Sequence, residues 1–194
     1  MPSRQVTDDG LEAHFQINYL GHHLLTQLLL PALLQAGTVE QPARVICTAS
    51  NTHAVKPLDL ADLQSEKGVY SRWEVYGKSK LAQLYLATGL DCRYCQRNVR
   101  AFAVHPGICM TALADNLPED ILQRTKHAPE MQHIIKSTQQ GAASAIWAAF
   151  SPDLKHKGGL YIEDCAVAIA ADSRNRLAGG SAEWAYDAQA ASAL

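Results

Sequence analysis

Tyr76 and Lys80 are the residues whose types and spacing most directly suggest chemistry. They are four positions apart in an apolar run of helical pattern that ends near Gln96, and residues four apart lie on one face of a helix. A phenol titrates at about pH 10 in water, and an ammonium beside it favours the phenolate and lowers that pKa. The pair is therefore suited to proton transfer. Because this spacing also arises by chance, the surrounding elements must decide its meaning.

Two short apolar stretches predict the strands that position this helix. Ala43–Ala49 and Val99–Val104 have the pattern of strands buried on both faces of a parallel sheet. Ser50 follows the first, and the turn His105-Pro106-Gly107 follows the second. Ligands of open α/β sheets bind beyond the carboxyl ends of the strands, so both loops are candidate site loops. Serine also favours turns and helix caps, so the sequence leaves open whether Ser50 is a site residue or a turn and cap residue.

The remaining pattern predicts further helices and one more strand around the same sheet. In chain order these are a long helix over Leu11–Gln35 closed by Gly37, a loose helical segment over Pro118–His133, a helix over Ser137–Phe150, a third strand at Leu160-Tyr161-Ile162 after Gly158-Gly159, and a helical piece near Ala182–Ala188 in an alanine-rich tail. No internal repeat or linker is visible, so residues 1–194 are predicted to form a single α/β domain.

Asn18 is a polar amide inside the apolar stripe of the first predicted helix. Burying an amide costs free energy unless it is hydrogen-bonded, so Asn18 bonds either a neighbouring loop or a functional group. His22 and His23 follow, but adjacent residues point to different faces of a helix. We predict no metal site from them.

Composition narrows the class of partner. The 194 residues are 47% hydrophobic and 19% charged, with a net charge of −2 and a pI near 6.4, which argues against nucleic acid or an anionic membrane as the main partner. No apolar run is long enough to span a bilayer, and the first residues lack the apolar core of a signal peptide. The five cysteines are odd in number and lie in apolar segments, which suits a reducing compartment. We expect a cytoplasmic protein with a small-molecule ligand.

Cys92 and Cys95 have the spacing of a redox motif. Reactive pairs normally stand at a helix N-terminus after a strand, whereas this pair falls late in a helical run. No second pair completes a zinc site. A structural role is favoured.

Taken in order, these motifs resemble the short-chain dehydrogenase/reductase superfamily, and within it the retinol-dehydrogenase-like and WW-domain-oxidoreductase-like branch. The matching segments are Asn18-Tyr19-Leu20-Gly21-His22, the strand Arg44–Ser50, Tyr76-Gly77-Lys78-Ser79-Lys80-Leu81-Ala82, His105-Pro106-Gly107 with Thr111, and Gly158-Gly159-Leu160-Tyr161. The resemblance covers nearly the whole chain. It implies the C-terminal part of a doubly wound, Rossmann-like parallel sheet, with about three strands flanked by long helices.

The resemblance also implies a role for each matched residue. Tyr76 would be the acid/base of hydride transfer between nicotinamide and an alcohol or carbonyl substrate, and Lys80 would lower its pKa and bind the nicotinamide ribose. Ser50 would hold the substrate oxygen, and Asn18 would anchor a water that relays protons to Lys80. Four residues would flank the nicotinamide: Pro106, Gly107, Ile108 and Thr111. Many relatives pair subunits through the helices that carry Asn18 and Tyr76, so a homo-oligomer is a further expectation.

One feature of the resembled family is absent from these 194 residues. Its members cradle the dinucleotide pyrophosphate in a glycine-rich turn at a helix N-terminus, and this sequence contains no Gly-x-Gly. We therefore expect NAD(P)(H) to bind this polypeptide weakly or not at all, and the chain alone to be inactive or nearly so. Two classes of function stay open: an NAD(P)-dependent oxidoreductase, and a non-catalytic remnant that acts as a protein-interaction module through an exposed sheet edge.

Overall fold

A parallel sheet forms the centre of the computed structural model, which describes residues 3–172 and 179–194. Its four strands, in spatial order, are β1 (Ala43–Thr48), β2 (Val99–His105), β5 (Leu160–Glu163) and β6 (Ala166–Val167). The first three are parallel, and β6 folds back antiparallel to β5. The predicted α/β fold with a parallel sheet is confirmed, and all three predicted strands are present. The sequence did not predict β6.

A second, two-stranded parallel ladder was also not predicted. It pairs β3 (Ile108–Cys109) with β4 (Ile135–Lys136). Each strand has only two residues, which is too short for an alternating pattern to be recognised in the sequence. The ladder fixes the chain directly after the turn that ends β2.

Seven α-helices surround the two sheets within the described residues. They are α1 (Ala13–Phe15), α2 (Gly21–Ala36), α3 (Arg72–Tyr94), α4 (Glu119–His127), α5 (Pro129–Gln132), α6 (Thr138–Phe150) and α7 (Ala188–Ala193). A π-helical turn, Gln16–Leu20, joins α1 to α2, so the helix predicted over Leu11–Gln35 is three consecutive segments. It ends at Gly37, where a Cβ would lie 2.2 Å from the carbonyl oxygen of Asn98.

The C-terminal helical piece lies later than predicted. Glu183–Tyr186 is a short 3-10 helix, and α7 begins only after Asp187, whose side chain accepts hydrogen bonds from the backbone N–H groups of Gln189 and Ala190. This cap starts a new helix where the sequence pattern indicated the end of one. Residues 173–178 of the predicted tail lie outside the described residues.

Helix α3 packs on the sheet face formed by β1 and β2, and α6 packs on the opposite face. Leu81, Leu84 and Leu90 of α3 are at most 1% exposed. The far side of α3 is covered by the end of the chain, where Tyr85 Oη donates a hydrogen bond to the Trp184 carbonyl at 2.7 Å. Helix α3 is therefore enclosed by the sheet on one side and by residues 181–194 on the other.

Strand β1 and helix α2 have open surfaces. Within the described residues β1 pairs only with β2, so its other edge is free, as the sequence predicted. Four leucines of α2 are about half exposed or more: Leu24, Leu25, Leu28 and Leu29. No helix in residues 3–172 or 179–194 has the length and apolarity needed to cross a membrane.

Candidate active site

Ser50 stands in the turn that follows β1. Its backbone is extended, and its Oγ accepts a hydrogen bond from the Thr52 N–H at 3.2 Å, which caps the short 3-10 helix Asn51–Ala54. Ser50 is 7% exposed. The serine is thus a helix cap, and it also lies at the carboxyl end of a parallel strand, where its role as a site residue stays a prediction.

Helix α3 brings Tyr76 to this hydroxyl. At Gly77 the helix touches the Ser50 turn so closely that a Cβ would lie 2.5 Å from the Thr52 carbonyl oxygen. The Tyr76 phenol lies near enough to the Ser50 side chain for the serine to favour its ionised form and lower its pKa. Two of the predicted site residues, Ser50 from β1 and Tyr76 from α3, therefore meet.

Lys80 lies one turn further along α3. Its Nζ donates a hydrogen bond to the Thr48 carbonyl at 3.0 Å and lies 5.7 Å from the Tyr76 ring centroid. Burial lowers the pKa of the Lys80 ammonium. Burial also raises the pKa of the Tyr76 phenol, and the nearby Ser50 side chain only partly offsets this. The sequence argument expected Lys80 to lower the Tyr76 pKa, but here desolvation disfavours the charged form of both groups.

Asn18 lies in the π-helical turn and faces α3 at the residue before Lys80. Its Nδ2 donates to Ser79 Oγ at 2.9 Å, and its carbonyl lies 2.9 Å from His22 Nδ1 and also accepts from Gln83 Nε2. π-helical turns recur at functional sites, and this one offers the Asn18 side chain and carbonyl to α3. Within the part of the chain that the structure describes, the hydrogen bonds of Asn18 join it to Ser79, His22 and Gln83 and not to Lys80.

The turn after β2 contributes the second side of the site. Gly107 has a φ of +83°, and a Cβ there would lie 2.6 Å from Lys136 Cδ, so both its conformation and its packing favour glycine. A cavity of about 290 Å³ opens between this turn and the Ser50 turn. Its lining includes Asn51, His105, Gly107, Ile108, Lys136 and Glu163.

Gly107 and Ile108 thus line the cavity as neighbours of Asn51, the residue after Ser50. Pro106 and Thr111 are close in sequence but are not among the described residues that line it. Thr111 is exposed and precedes the 3-10 helix Ala112–Asn116. The structure therefore joins the β1 and β2 loops at one cavity, which Asn51, Gly107 and Ile108 line together.

Two histidines with buried ring nitrogens lie at this end of the sheet, and the sequence analysis gave neither of them a role of its own. His105 ends β2, and its Nδ1 is buried without a hydrogen-bond partner among the described groups. Burial lowers the pKa of His105 to about 4. His53, in the 3-10 helix after Ser50, is fully buried. Its position three residues after a strand-end serine was the available signal.

Comparison with known proteins identifies the class to which this fold and site belong. The family described as short chain dehydrogenase matches residues 1–122, which is more than half of the chain, so the chain belongs to that family. Among curated relatives, the short-chain dehydrogenase/reductase prx1 of Penicillium rubens is 35% identical over 185 residues, covering 95% of this chain and 54% of the relative. Retinol dehydrogenase 12 of Mus musculus is 38% identical over 159 residues, covering 82% and 48% respectively.

These relatives place the chain in the retinol-dehydrogenase-like branch of the superfamily. The chain spans about half the length of the curated relatives it matches. A solved structure of an uncharacterised protein from Mycobacterium paratuberculosis is similar over 99% of this chain and 59% of its own, with a TM-score of 0.65 and 26% identity. NADPH-bound carbonyl reductase from chicken fatty liver shares the fold at a TM-score of 0.53 and 18% identity, covering 84% of this chain and 60% of its own.

Proposed function

We propose that this chain carries the proton-transfer half of an NAD(P)-dependent oxidoreductase that interconverts an alcohol and a carbonyl. The observation that carries the proposal is the close packing of α3 on the Ser50 turn, which places Tyr76 next to Ser50 and the Lys80 ammonium 5.7 Å from the Tyr76 ring centroid, at the carboxyl ends of parallel strands. Membership of a dehydrogenase family, whose relatives are named as dehydrogenases and reductases, supports the same reaction class.

Each residue has a defined task in this proposal. Ser50 donates a hydrogen bond to the substrate oxygen, and Tyr76 gives its proton to that oxygen in reduction or takes it in oxidation. The nicotinamide supplies or accepts the hydride when it is bound. A charged Lys80 favours the phenolate form of Tyr76, and Asn18 supports α3 at the residue before Lys80.

The residues present fit the nicotinamide end of the cofactor. The cavity between the two loops is lined by polar groups and by Gly107, whose backbone is open to close approach, and Ile108 follows it. Lys80 and Thr111 supply further hydrogen-bonding groups on the neighbouring elements. The adenosine end has no glycine-rich turn in this sequence, so we propose that the 194 residues alone bind NAD(P)(H) weakly or not at all.

A titration with three nucleotides tests both parts of the proposal. NADPH, NADH and reduced nicotinamide mononucleotide, which lacks the adenosine half, are each added to the purified chain while nicotinamide fluorescence is followed. Circular dichroism confirms folding. If only the nicotinamide end has a site, the three bind with similar weak affinity, and Lys80→Met weakens all three. Binding of NADPH at least about tenfold tighter than the mononucleotide, a difference of about 1.4 kcal/mol, would overturn the weak-binding proposal.

Activity is measured separately with a panel of small aldehydes, ketones and alcohols. We expect no measurable turnover by the chain alone. Turnover that Tyr76→Phe abolishes would contradict that expectation while supporting the assigned role of Tyr76. Turnover that Tyr76→Phe leaves unchanged would exclude Tyr76 as the acid/base.

A second candidate function is that of an interaction module. The exposed leucines of α2 and the free edge of β1 favour it, because surfaces of this kind are usually covered in the working protein. Helix α3 has little open surface, so the predicted homo-oligomer would have to use the α2 side. Sedimentation of the chain and of a Leu24→Gln/Leu28→Gln variant tests this: self-association that the variant removes supports it, and a monomer at all concentrations excludes the homo-oligomer.

A further inference from the structure

His53 forms hydrogen bonds through three of its groups. Their partners lie in two parts of the chain that are far apart in sequence. Its Nδ1 lies 2.7 Å from the Ser50 carbonyl oxygen, and its Nε2 accepts a hydrogen bond from the Ala182 N–H at 3.1 Å. Its own carbonyl accepts from Trp184 Nε1 at 3.0 Å. The imidazole therefore bridges the Ser50 turn and the C-terminal segment, residues 181–194.

The chemistry of these partners fixes the tautomer of His53. A carbonyl oxygen only accepts and a backbone N–H only donates, so Nδ1 carries the proton and Nε2 carries the lone pair. The ring also packs against Tyr161, with 4.6 Å between ring centroids, and the side chain is fully buried. A 180° flip of the ring would break both bonds, because the ring carbons Cδ2 and Cε1 would then take the places of Nδ1 and Nε2.

The bond to Ser50 acts on the residue that carries the site hydroxyl. The Ser50 carbonyl accepts from both the backbone N–H and the ring Nδ1–H of His53, while Ser50 Oγ is on the side that meets Thr52 and Tyr76. Fixing the carbonyl fixes the peptide plane that follows Ser50. That plane includes the Ser50 Cα, from which the side chain projects, and the Thr52 N–H then orients the hydroxyl oxygen.

We propose that His53 is a positioning residue of the proton-transfer site. Its ring bond to the Ser50 carbonyl holds the Ser50 hydroxyl towards the Tyr76 phenol, and its bond to the Ala182 N–H separately ties the C-terminal segment to the same turn. This inference rests on the proposed function for its meaning, but the contact that it explains is testable without any turnover.

Two variants separate the two ring bonds. The Nδ2 of asparagine reaches the place of the histidine Nδ1, so His53→Asn keeps the donor to Ser50 and loses the acceptor for Ala182. The Oε1 of glutamine reaches the place of Nε2, so His53→Gln keeps the acceptor for Ala182 and loses the donor to Ser50. Both variants remove a ring of the same size, which makes each the control of the other.

The readouts are the ¹³Cζ chemical shift of Tyr76, which reports hydrogen bonding at its hydroxyl, and hydrogen exchange of the Ala182 amide. The Tyr76 resonance is assigned with Tyr76→Phe. We expect His53→Asn to leave the Tyr76 resonance unchanged and to speed exchange at Ala182 by roughly fivefold, the effect of one lost hydrogen bond. We expect His53→Gln to move the Tyr76 resonance and to leave exchange at Ala182 near that of the unaltered chain.

The proposal is overturned if both variants leave the Tyr76 resonance unchanged, or if His53→Asn moves it as much as His53→Gln. If either variant does not fold, the unaltered chain gives the remaining test: ¹⁵N shifts of His53 must show a protonated Nδ1 and an unprotonated Nε2 at neutral pH. The opposite tautomer would overturn the proposal. None of these measurements needs cofactor or turnover, so a result that excludes Tyr76 as the acid/base would refute the proposed function and leave this inference standing.

Discussion

Helices α2 and α3 are the two longest helices of the described chain, and their surroundings are nearly opposite. Helix α2, described in full, has seven leucines in its sixteen residues, yet none of its side chains is buried. Helix α3 has four leucines in twenty-three residues, and thirteen of its residues are buried. Leu28 of α2 is 70% exposed, whereas Leu84 of α3 is 0% exposed.

The difference shows that apolar composition does not decide which helix becomes the core. Helix α3 is buried because the sheet lies under it and the C-terminal segment lies over it. Helix α2 has no such neighbour on its leucine face within the described residues. The proposed proton-transfer pair lies on the enclosed helix, where packing limits the movement of Tyr76 and Lys80.

The largest expected effect comes from truncating one leucine on each helix. Leu84→Ala should lower the free energy of unfolding by about 2–5 kcal/mol, because it removes a fully buried side chain and leaves a cavity. Leu28→Ala, the matched change on α2, should stay within about 0.5 kcal/mol of the unaltered chain. Urea unfolding followed by circular dichroism measures both. Equal losses at the two positions would mean that the leucine face of α2 is covered in solution.

Adding one methyl group to a glycine of each helix sharpens the comparison further. Gly77→Ala should cost about 1–3 kcal/mol, since the new Cβ would lie 2.5 Å from a backbone oxygen and must push α3 off the Ser50 turn. Gly21→Ala should instead stabilise α2 by about 0.5–1 kcal/mol, because the nearest atom is at an ordinary 3.5 Å and alanine favours helix. Thermal unfolding distinguishes the opposite signs. A stabilising Gly77→Ala would show that α3 and the turn are not in tight contact.

His105, at the end of strand β2, should also make the free energy of unfolding depend on pH. Because the folded-state pKa of His105 is lowered to about 4, below the unfolded value of about 6.5, the unfolded chain binds more protons between these values. Stability is therefore complete above about pH 6.5 and falls as the pH decreases towards 4, by at most about 1.4 kcal/mol per pH unit for one group. His105→Phe should reduce this slope.

Some slope should persist in that variant, because burial also lowers the pKa of His53 and of His23. His127→Phe on the exposed surface of α4 serves as the control. Urea midpoints measured from pH 7 down to pH 4 provide the data. An identical pH dependence before and after the His105 change would remove His105 as a source of the slope.

The smallest expected effect concerns the C-terminal segment, which packs over α3. Trp184→Phe removes the hydrogen bond to the His53 carbonyl and should cost about 1 kcal/mol while keeping most of the packing. Trp73→Phe, on a residue that is 42% exposed at the start of α3, should change stability very little. If both changes were neutral, the C-terminal segment would add little to the stability of α3.

Much of the site could be predicted because its signals are local. The apolar runs of β1 and β2, the polar loops after them and the pattern around Tyr76 all lie in short stretches, and the strand-end rule then brings Ser50 and Gly107 to one edge of the sheet. The free edge of β1 was predicted as well. The roles of Asn18, Ser50, Tyr76, Lys80 and the nicotinamide-flanking residues stay predictions until they are tested.

The features that sequence reasoning missed depend on partners far away in the chain. His53 meets Ala182 across 129 residues, and Tyr85 meets Trp184 across 99. The exposure of the α2 leucines could not be predicted either, since a helical apolar stripe indicates a face to be covered and not whether anything covers it. The raised pKa of Tyr76 follows from burial, which cannot be inferred from the four-residue spacing between Tyr76 and Lys80.

The bond between His53 and Ala182 also orders the events of folding during synthesis. A chain folds from its N-terminal end as it is made, and at a rate of about 5–20 residues per second the last segment appears seconds after the first. The Ser50 turn and α3 can form early, but the groups that hold His53 lie 129 and 131 residues further along the chain. A nascent chain that has not yet reached Ala182 should therefore have the strands and the Ser50 turn while His53 still lacks two of its hydrogen bonds.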